Sequence, residues 1–389
     1  MRRRRYLSLL TSGLMATAGC LAAPGRESAT ASSTADSDSA TAGVQQRGAA
    51  DLPIPKHDLH RALERDSIPA IVDPVFADDW AGLSITVASE PLRESIEPRL
   101  SAGDPVIGVE RNGQARAYPL ALLNWHEVVN DDFDGPLLVT YCPLCQSGIV
   151  AERTVNGDAT VFGVSGLLWR GNLVLYDRAT DSLWSQLLGT AIRGPKTGSS
   201  LRLLPSSLTT WGEWRASHPD TDVLLPPPHS NTVRGQDATF NYTMNSYLGY
   251  AVSSQVGVGN TTFSDDRLHP KAPVVGIANG NTARAYPLEI LADRRVINDT
   301  VGGKPVVVAI TPDRSLVAYD RRIDESTLWF LPVADGIMYA DRSHWQIATG
   351  RATDGPHEGT QLRQATDRSA MYWFAWAKFH PNTEIYGRS

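Results

Sequence analysis

Hydrophobic and polar residues alternate in short runs along much of the chain, a pattern typical of antiparallel β-strands. Residues 106–111 and 114–118 flank Asn112 and Gly113, a pair that favours the tight turn of a β-hairpin. Residues 136–141 form a largely apolar run, as expected of a buried strand. We therefore predict a chain built mainly of antiparallel strands.

Two segments have helical rather than alternating periodicity. Between residues 120 and 129, Leu122, Trp125 and Val129 share one helical face. A second helix is predicted over 209–218, where a threonine supplies the N-cap. A few short helices among many strands indicate the α+β class, with antiparallel β-structure predominating.

Motifs from the first half of the chain recur in the same order in the second half. Residues 115–120 recur letter for letter at 283–288, and the separation of about 168 residues later falls to about 162. Copies of roughly 115 residues are too long for solenoid repeats. We therefore predict two tandem copies of one domain with pseudo-twofold packing. The predicted boundaries are 53–228 for the first copy, 229–270 for a connecting segment and 271–389 for a second, degenerate copy.

The N-terminus is typical of an export signal rather than of a folded segment. Arg3 and Arg4 form a twin-arginine pair, a short apolar stretch follows, and small residues precede Cys20. We predict a signal peptide over 1–19, lipidation of Cys20 and a disordered tether over 20–52. This interpretation places the folded part on the outer face of the cytoplasmic membrane, which it contacts through the lipid anchor only.

Composition excludes several classes of protein. With 42% hydrophobic residues, 10 Trp and 3 Cys in 389 residues, the chain is neither disordered throughout nor a disulfide-rich mini-protein. A pI of about 5.9 and a formal charge of -6 argue against a nucleic-acid partner. Function must therefore be sought in particular side chains.

The two copies differ at three residues that can carry chemistry. His126 of the first copy corresponds to Arg294, and the motif from Cys142 to Cys145 corresponds to the shorter run 311–313. Residues that serve the shared fold should survive in both copies, whereas these three are lost together. We therefore expect His126, Cys142 and Cys145 to act as one unit in the first copy only.

Three functions for this unit stay open from the sequence. In the first, Cys142 and Cys145 form a redox-active dithiol tuned by His126, as in a thiol–disulfide oxidoreductase that needs no cofactor. One thiol then attacks the disulfide or oxidised sulfur of a protein partner, and the other resolves the intermediate. In the second, the same three residues bind copper or zinc in a non-catalytic lipoprotein served by a metal-carrying partner. In the third, the cysteines form a structural disulfide of a surface protein. In each case the second copy is interpreted as scaffold or docking surface.

Several motifs together resemble a known exported family. They include the runs 66–71, 115–120, 126–131, 141–147 and 162–166. From about Leu52 to the C-terminus, the chain is similar to the family of domain of unknown function 3179. Some members of that family are predicted selenoproteins with selenocysteine at a cysteine of this motif, which implies redox or soft-metal chemistry at Cys142 or Cys145. Gln146 stands where the resemblance predicts glycine.

Overall fold

Short strands dominate the fold, in agreement with the alternating pattern. A computed structural model of the chain describes residues 52–89, 92–258 and 261–388. The predicted hairpin is confirmed, because Pro105–Arg111 and Gln114–Pro119 pair around Asn112 and Gly113, both of which have positive φ. The predicted signal peptide, Cys20 and the predicted tether up to residue 51 lie outside the described residues.

Six sheets of three to six strands form the blades of a six-bladed β-propeller within the described residues. Most strand pairs are antiparallel, and the blades are numbered here by the chain order of their central strands. In their order across the sheet, the strands of blade 1 are Ser207–Thr210, Pro105–Arg111, Gln114–Pro119, Asp222–Leu224 and Phe76–Ala77, and those of blade 2 are Leu203–Leu204, Ser147–Glu152, Pro136–Cys142, Val128–Asp132, Ile71–Asp73 and Asn231–Thr232. Blade 3 consists of Leu59–Arg61, Phe162–Trp169, Asn172–Asp177, Leu183–Ser185 and Thr190–Arg193, and blade 4 of Met371–Tyr372, Pro273–Asn279, Thr282–Pro287 and Glu384–Ile385. Blade 5 consists of Val296–Val301, Lys304–Ile310 and Leu316–Asp320, and blade 6 of Leu331–Ala334, Ile337–Ala340 and Ser343–Gln346.

Short helices and two-stranded ribbons complete the described part of the chain. The α-helices are Leu120–His126, Trp211–Ser217, Leu248–Val252, Leu288–Arg294 and Trp373–Phe379, and the 3-10 turns are Lys56–Asp58 and Gly355–His357. The ribbons pair Ile85–Ser89 with Leu92–Ile96, Thr154–Val155 with Asp158–Ala159, and Arg322–Ile323 with Ser326–Thr327. None of the described helices has the length and apolar character needed to cross a bilayer.

The two predicted helices are present, although both are shorter than expected. The first ends at His126 because Glu127 takes a left-handed conformation with φ 57°. The second is Trp211–Ser217, and the side chain of Thr210 accepts a hydrogen bond from the backbone N–H of Glu213, which confirms the predicted threonine N-cap.

The predicted fold class, two tandem α+β domains, is wrong. The described residues belong to one compact unit that is mostly β and arranged as a propeller. Blades 1 to 3 are built mainly from the first copy, and blades 4 to 6 lie in the second. The repeat therefore describes half a propeller rather than a domain. Local periodicity identifies the strands, but it contains no sign that their sheets close into one ring.

A shared hydrophobic core explains why the copies do not separate. Trp373 and Trp376 of the last helix belong to the same buried cluster as Cys142, Trp169 and Leu173 of the first copy. Separating the halves would expose this apolar surface to water, which is unfavourable. The two halves therefore share this cluster, although each half also has a buried cluster of its own.

Polar residues kept in both copies hold the blades together. In each half, an arginine and a tyrosine of one blade donate hydrogen bonds of 2.6 to 2.7 Å to a carboxylate of the next blade. The residues are Arg116, Tyr118 and Asp131 in the first half, and Arg284, Tyr286 and Asp299 in the second. Their retention agrees with the interpretation that residues shared by the copies serve the fold.

Candidate dithiol site

The two cysteines lie on the tight turn between the central strands of blade 2. Cys142 ends Pro136–Cys142 and pairs with Ser147, the first residue of the returning strand. The backbone N–H of Cys145 donates to the carbonyl of Cys142 at 3.1 Å, which closes the turn. Gln146 adopts a left-handed conformation with φ 53°. This conformation gives a physical reason for expecting glycine there, because glycine populates positive φ without steric cost.

Both thiols are free and buried, with Cys142 1% and Cys145 0% exposed. Burial raises the pKa of Cys142 well above its usual value, and a hydrogen bond to the Cys145 side chain raises it further. The backbone N–H groups of Leu173 and Cys145 oppose this rise without cancelling it. Cys142 is therefore protonated at neutral pH, beside amides that favour its thiolate once the proton leaves.

A network of side-chain amides holds Cys145. Its thiol donates to the carbonyl of Gly171 at 3.3 Å, and Asn172 Nδ2 lies 3.6 Å from its sulfur. The same Asn172 nitrogen donates to Gln186 Oε1 at 2.9 Å, and Gln186 Nε2 donates to the carbonyl of Ser147 at 3.1 Å. These bonds link the turn to blade 3 and hold the Cys145 sulfur in a polar setting.

The second copy lacks this amide network. Trp184 and Trp345 are equivalent, since each packs edge-on against a phenylalanine with ring centroids 5.7 Å apart. Two residues after these tryptophans, Gln186 of the first copy corresponds to Ile347 of the second. The amide is therefore lost together with the two cysteines.

Glu127 is a further residue of the site and follows His126 directly in the chain. Its carbonyl accepts the backbone N–H of Tyr141 at 2.9 Å, next to Cys142 in the chain. Burial raises the pKa of its carboxyl well above the usual value, and the charge of Cys142 adds to the rise. The carboxyl makes no side-chain hydrogen bond to any other described residue. The Glu127 carboxyl is thus close enough to Cys142 for their charges to interact.

The equivalent of Glu127 in the second copy has the opposite charge. Arg295 takes the same place after its helix, with φ 63°, and its carbonyl accepts the backbone N–H of Ile310 at 3.1 Å. Glu127 therefore belongs to the set that changes with the cysteines. The sequence already shows this difference, because Glu127 corresponds to Arg295 in the alignment that pairs His126 with Arg294.

The structure does not bring His126 to the thiols. Its Nδ1 lies 2.7 Å from the carbonyl of Pro69 and its Nε2 lies 2.8 Å from the hydroxyl of Tyr242. Burial lowers its pKa to about 4, so the ring is neutral at pH 7. With both nitrogens occupied, His126 is a buried hydrogen-bonding residue of the fold, and nothing in its contacts connects it to the sulfur chemistry.

The three residues proposed as copper or zinc ligands are therefore not assembled as a site. Within residues 52–89, 92–258 and 261–388, no group of three or more His, Cys, Asp or Glu side chains is arranged to hold a metal ion. A dithiol alone supplies two ligands, fewer than a closed zinc site requires.

A cavity of about 420 Å³ lies against the turn and is rich in tyrosine. Its lining includes Pro143 and Gln146 of the turn and the tyrosines Tyr141, Tyr247, Tyr250 and Tyr372. Sequence interpretation missed these tyrosines. The available signal was the cluster of aromatic residues within an otherwise Asn/Ser/Gly-rich connecting segment.

Residues 239–258 of the connecting segment, here called the strap, cover the site. The hydroxyl of Tyr250 donates to the carbonyl of Leu144 at 3.0 Å, which ties the strap to the cysteine turn. Lys271 is buried and donates to the carbonyl of Ser253 at 2.9 Å, with its ammonium 3.5 Å from the centre of the Tyr250 ring. These contacts fix the strap beside the cysteine turn, where Tyr247 and Tyr250 form part of the cavity wall.

A family model described as "Protein of unknown function (DUF3179)" matches residues 65–383, most of the chain. The resemblance predicted from the motifs is thereby confirmed. No curated protein and no solved structure matches the chain.

Proposed function

Because the chain belongs to the DUF3179 family, whose description assigns no function, we propose a function from the geometry of the site itself. The protein is a dithiol redox protein in which Cys142 and Cys145 interconvert between two thiols and one disulfide. The observation that carries this proposal is the pair of free, buried thiols at the two ends of a single turn, which the backbone N–H of Cys145 closes by donating to the carbonyl of Cys142 at 3.1 Å.

The surroundings of the two sulfurs assign them different roles. Cys142 is the attacking thiol, because it lies close enough to Glu127 for its charge to act on that carboxyl, which can take its proton. Cys145 is the resolving thiol, held ready by Gly171 and Asn172. When Cys142 has attacked an oxidised partner, Cys145 attacks the Cys142 sulfur, forms the internal disulfide and releases the reduced partner.

Glu127 serves as the proton acceptor of this reaction. A carboxyl whose pKa lies above the usual range is a stronger base when ionised, and it can return the proton in the reverse direction. His126 has no role in this scheme. Within the described residues, His126, Cys142 and Cys145 are not arranged as a group that could hold copper or zinc.

The proposal keeps the location predicted from the N-terminal sequence. The protein is exported and anchored by a lipid on Cys20, which leaves the propeller outside the cytoplasmic membrane. Substituting Cys20→Ser should move the protein from the membrane fraction to the soluble fraction without changing the chemistry of the other two cysteines.

Reversible disulfide formation tests the proposed function. The protein is treated with excess oxidised dithiothreitol, and its remaining thiols are alkylated in denaturant. The mass of the peptide that contains both cysteines is then measured by mass spectrometry. We expect the oxidised peptide to carry no alkyl groups and to have two hydrogens fewer than the dithiol form. After treatment with reduced dithiothreitol, both cysteines should be alkylated again. Cys142→Ser is the matched control, which keeps one trapped thiol and forms no internal disulfide.

Two other outcomes would replace the proposal. If the thiols resist both oxidation and alkylation until a chelator is added, the site binds a metal. If reduction of the disulfide unfolds the protein, the cysteines are structural.

A further inference from the structure

The closed site restricts what can react with the thiols. Cys142 and Cys145 are 1% and 0% exposed, and the strap is tied over them through Tyr250 and Lys271. A disulfide on the surface of a folded protein cannot reach either sulfur through this cover. The adjoining cavity of about 420 Å³ lies within the range of small-molecule pockets. The reactant is therefore a small molecule.

Three tyrosines of the cavity have hydroxyls without a partner. The hydroxyls of Tyr141, Tyr247 and Tyr372 make no hydrogen bond to another described residue, in contrast to that of Tyr250. Burial raises the pKa of all three phenols, so each remains a hydrogen-bond donor at neutral pH. None of these oxygens is among the fully buried polar atoms without a partner, so each hydroxyl faces open space. Their convergence on one cavity indicates a ligand that carries acceptor oxygens.

These donors lie next to the cysteine turn, since Pro143 and Gln146 of that turn line the same cavity. The charge of an ionised Cys142 further raises the pKa of Tyr141 and Tyr247, after burial as the main cause. Tyr372 is tied to the motif directly, since its backbone N–H donates to the carbonyl of Cys145 at 2.9 Å. A ligand bound by the tyrosines therefore lies against the turn that carries the two cysteines.

The charges facing the cavity cancel. Asp313 and Arg314 are adjacent in the cavity wall and have opposite charges. Burial alone would raise the pKa of the Asp313 carboxyl, but hydrogen bonds from Thr311 and Ser315 help to lower it below its usual value. The Asp313 carboxylate also accepts the backbone N–H of Thr210 at 2.9 Å, so it is already satisfied. An uncharged ligand fits this balance better than an anion or a cation.

We infer that the cavity binds a planar carbonyl compound of the quinone class, which exchanges electrons with the Cys142–Cys145 pair. This inference rests on the proposed dithiol function and names its reactant. Aromatic walls suit a planar ring, and phenol donors suit its two carbonyl oxygens. In the oxidising direction, two S–H bonds break and one S–S bond forms. The two electrons and two protons pass to the quinone, whose carbonyls become the hydroxyls of a hydroquinone.

The test uses tetramethyl-1,4-benzoquinone, whose fully substituted ring lacks an open position for stable thiol addition. Oxidation of the reduced, full-length protein is followed by loss of alkylatable thiols. The variants are Tyr141→Phe and Tyr372→Phe, each of which removes one hydroxyl. Tyr339→Phe is the matched control, because Tyr339 lies in blade 6 and does not line the cavity. Hydroxyethyl disulfide serves as a small oxidant without carbonyl groups.

We expect each cavity variant to be oxidised by the quinone about tenfold more slowly, because it lacks one hydrogen bond to the bound quinone. The control variant should react at the wild-type rate, and oxidation by hydroxyethyl disulfide should be unchanged in all variants. Equal rates for wild type and cavity variants with the quinone would overturn the inference. So would faster oxidation by a folded protein disulfide than by the quinone. Thiols that neither the quinone nor hydroxyethyl disulfide converts to an internal disulfide would instead refute the proposed function.

Discussion

Glu127 is the residue on which the proposed chemistry depends most, apart from the cysteines. It is 6% exposed, and burial is the main reason that the pKa of its carboxyl lies well above the usual value. Such a group costs stability when it ionises, because the charged form is poorly solvated. A buried acid without a side-chain partner is therefore explained better by function than by folding.

Replacing Glu127 with glutamine should separate these two effects. Glu127→Gln keeps the shape of the side chain but removes the proton acceptor, so we expect dithiol oxidation at pH 7 to slow about 100-fold. The raised pKa means that Glu127 stabilises the folded state most fully below about pH 4.3, and that this contribution is lost as the pH rises through the folded pKa. The variant should therefore gain stability relative to wild type between pH 5 and pH 8.

Stopped-flow oxidation at pH 7 measures the rate, and urea denaturation at pH 5 and pH 8 measures the stability. Glu325→Gln, at an exposed position in the second half, is the control and should change neither quantity. Wild-type oxidation rates in Glu127→Gln would show that another group accepts the proton.

At single residues, the sequence predicted the cysteines but misplaced their neighbours. Cys142 and Cys145 were recognised because only one copy has them. His126 differs between the copies in the same way, yet its ring binds Pro69 and Tyr242 instead of a thiol. A difference between copies marks residues that depart from the shared fold, but it does not reveal where each side chain points.

Among the elements, close packing of a strand against a helix is repeated in both halves. A Cβ atom built on Gly108 would lie 2.3 Å from Trp214 Cε3, and one on Gly276 would lie 2.3 Å from Trp376 Cε3. The indole of each tryptophan therefore rests directly on the strand backbone. This contact accounts for the shared Gly and Trp positions without any role in chemistry.

Adding a methyl group at this contact should destabilise the fold. Gly108→Ala is expected to lower the free energy of unfolding by about 1–3 kcal/mol, since the indole cannot move away in a packed core. Gly103→Ala is the matched control, because a Cβ there has no atom within 4 Å, and it should change stability by less than about 0.5 kcal/mol. Urea denaturation measures both, and equal stabilities would contradict the packing account.

The elements were predictable where one local signal decides them. The Asn112-Gly113 turn and the Thr210 N-cap are set by neighbouring residues, and both are confirmed. The end of the first helix was predicted too late, because its apolar face continues to Val129 while the left-handed Glu127 stops the helix. Non-glycine residues at positive φ have no reliable local signature.

For the whole molecule, the strap controls access to the thiols. Lys271 is buried and holds the strap through the carbonyls of Tyr250 and Ser253 and the hydroxyl of Ser253. Burial lowers the pKa of its ammonium, and the nitrogen bonds the strap rather than a carboxylate. Opening of this segment is the local motion that would expose the site.

Removing this tie should make the native thiols easier to reach. Lys271→Met preserves much of the buried apolar stem but loses the hydrogen bonds to the strap, so we expect Cys142 and Cys145 to be alkylated about tenfold faster under native conditions. Mass spectrometry of timed samples gives the rates, with the exposed Lys56→Met as control. An unchanged rate in Lys271→Met would mean that the strap does not limit access.

The overall architecture was the least predictable level. Alternating runs indicate strands, and the repeat indicates two related halves, but a blade of three short strands has the same local pattern as part of a sandwich or barrel. Closure depends on contacts between distant segments, such as the packing of Trp373 beside residues of blade 3. Periodicity within each copy contains no information on these contacts.

The midpoint potential of the Cys142–Cys145 couple tests the central claim most directly. The protein is equilibrated in buffers of defined redox potential, and its thiols are trapped in denaturant and counted by mass. A cycling dithiol should have a midpoint within roughly -270 to -120 mV. A midpoint below about -300 mV would contradict the account and return the pair to a structural disulfide.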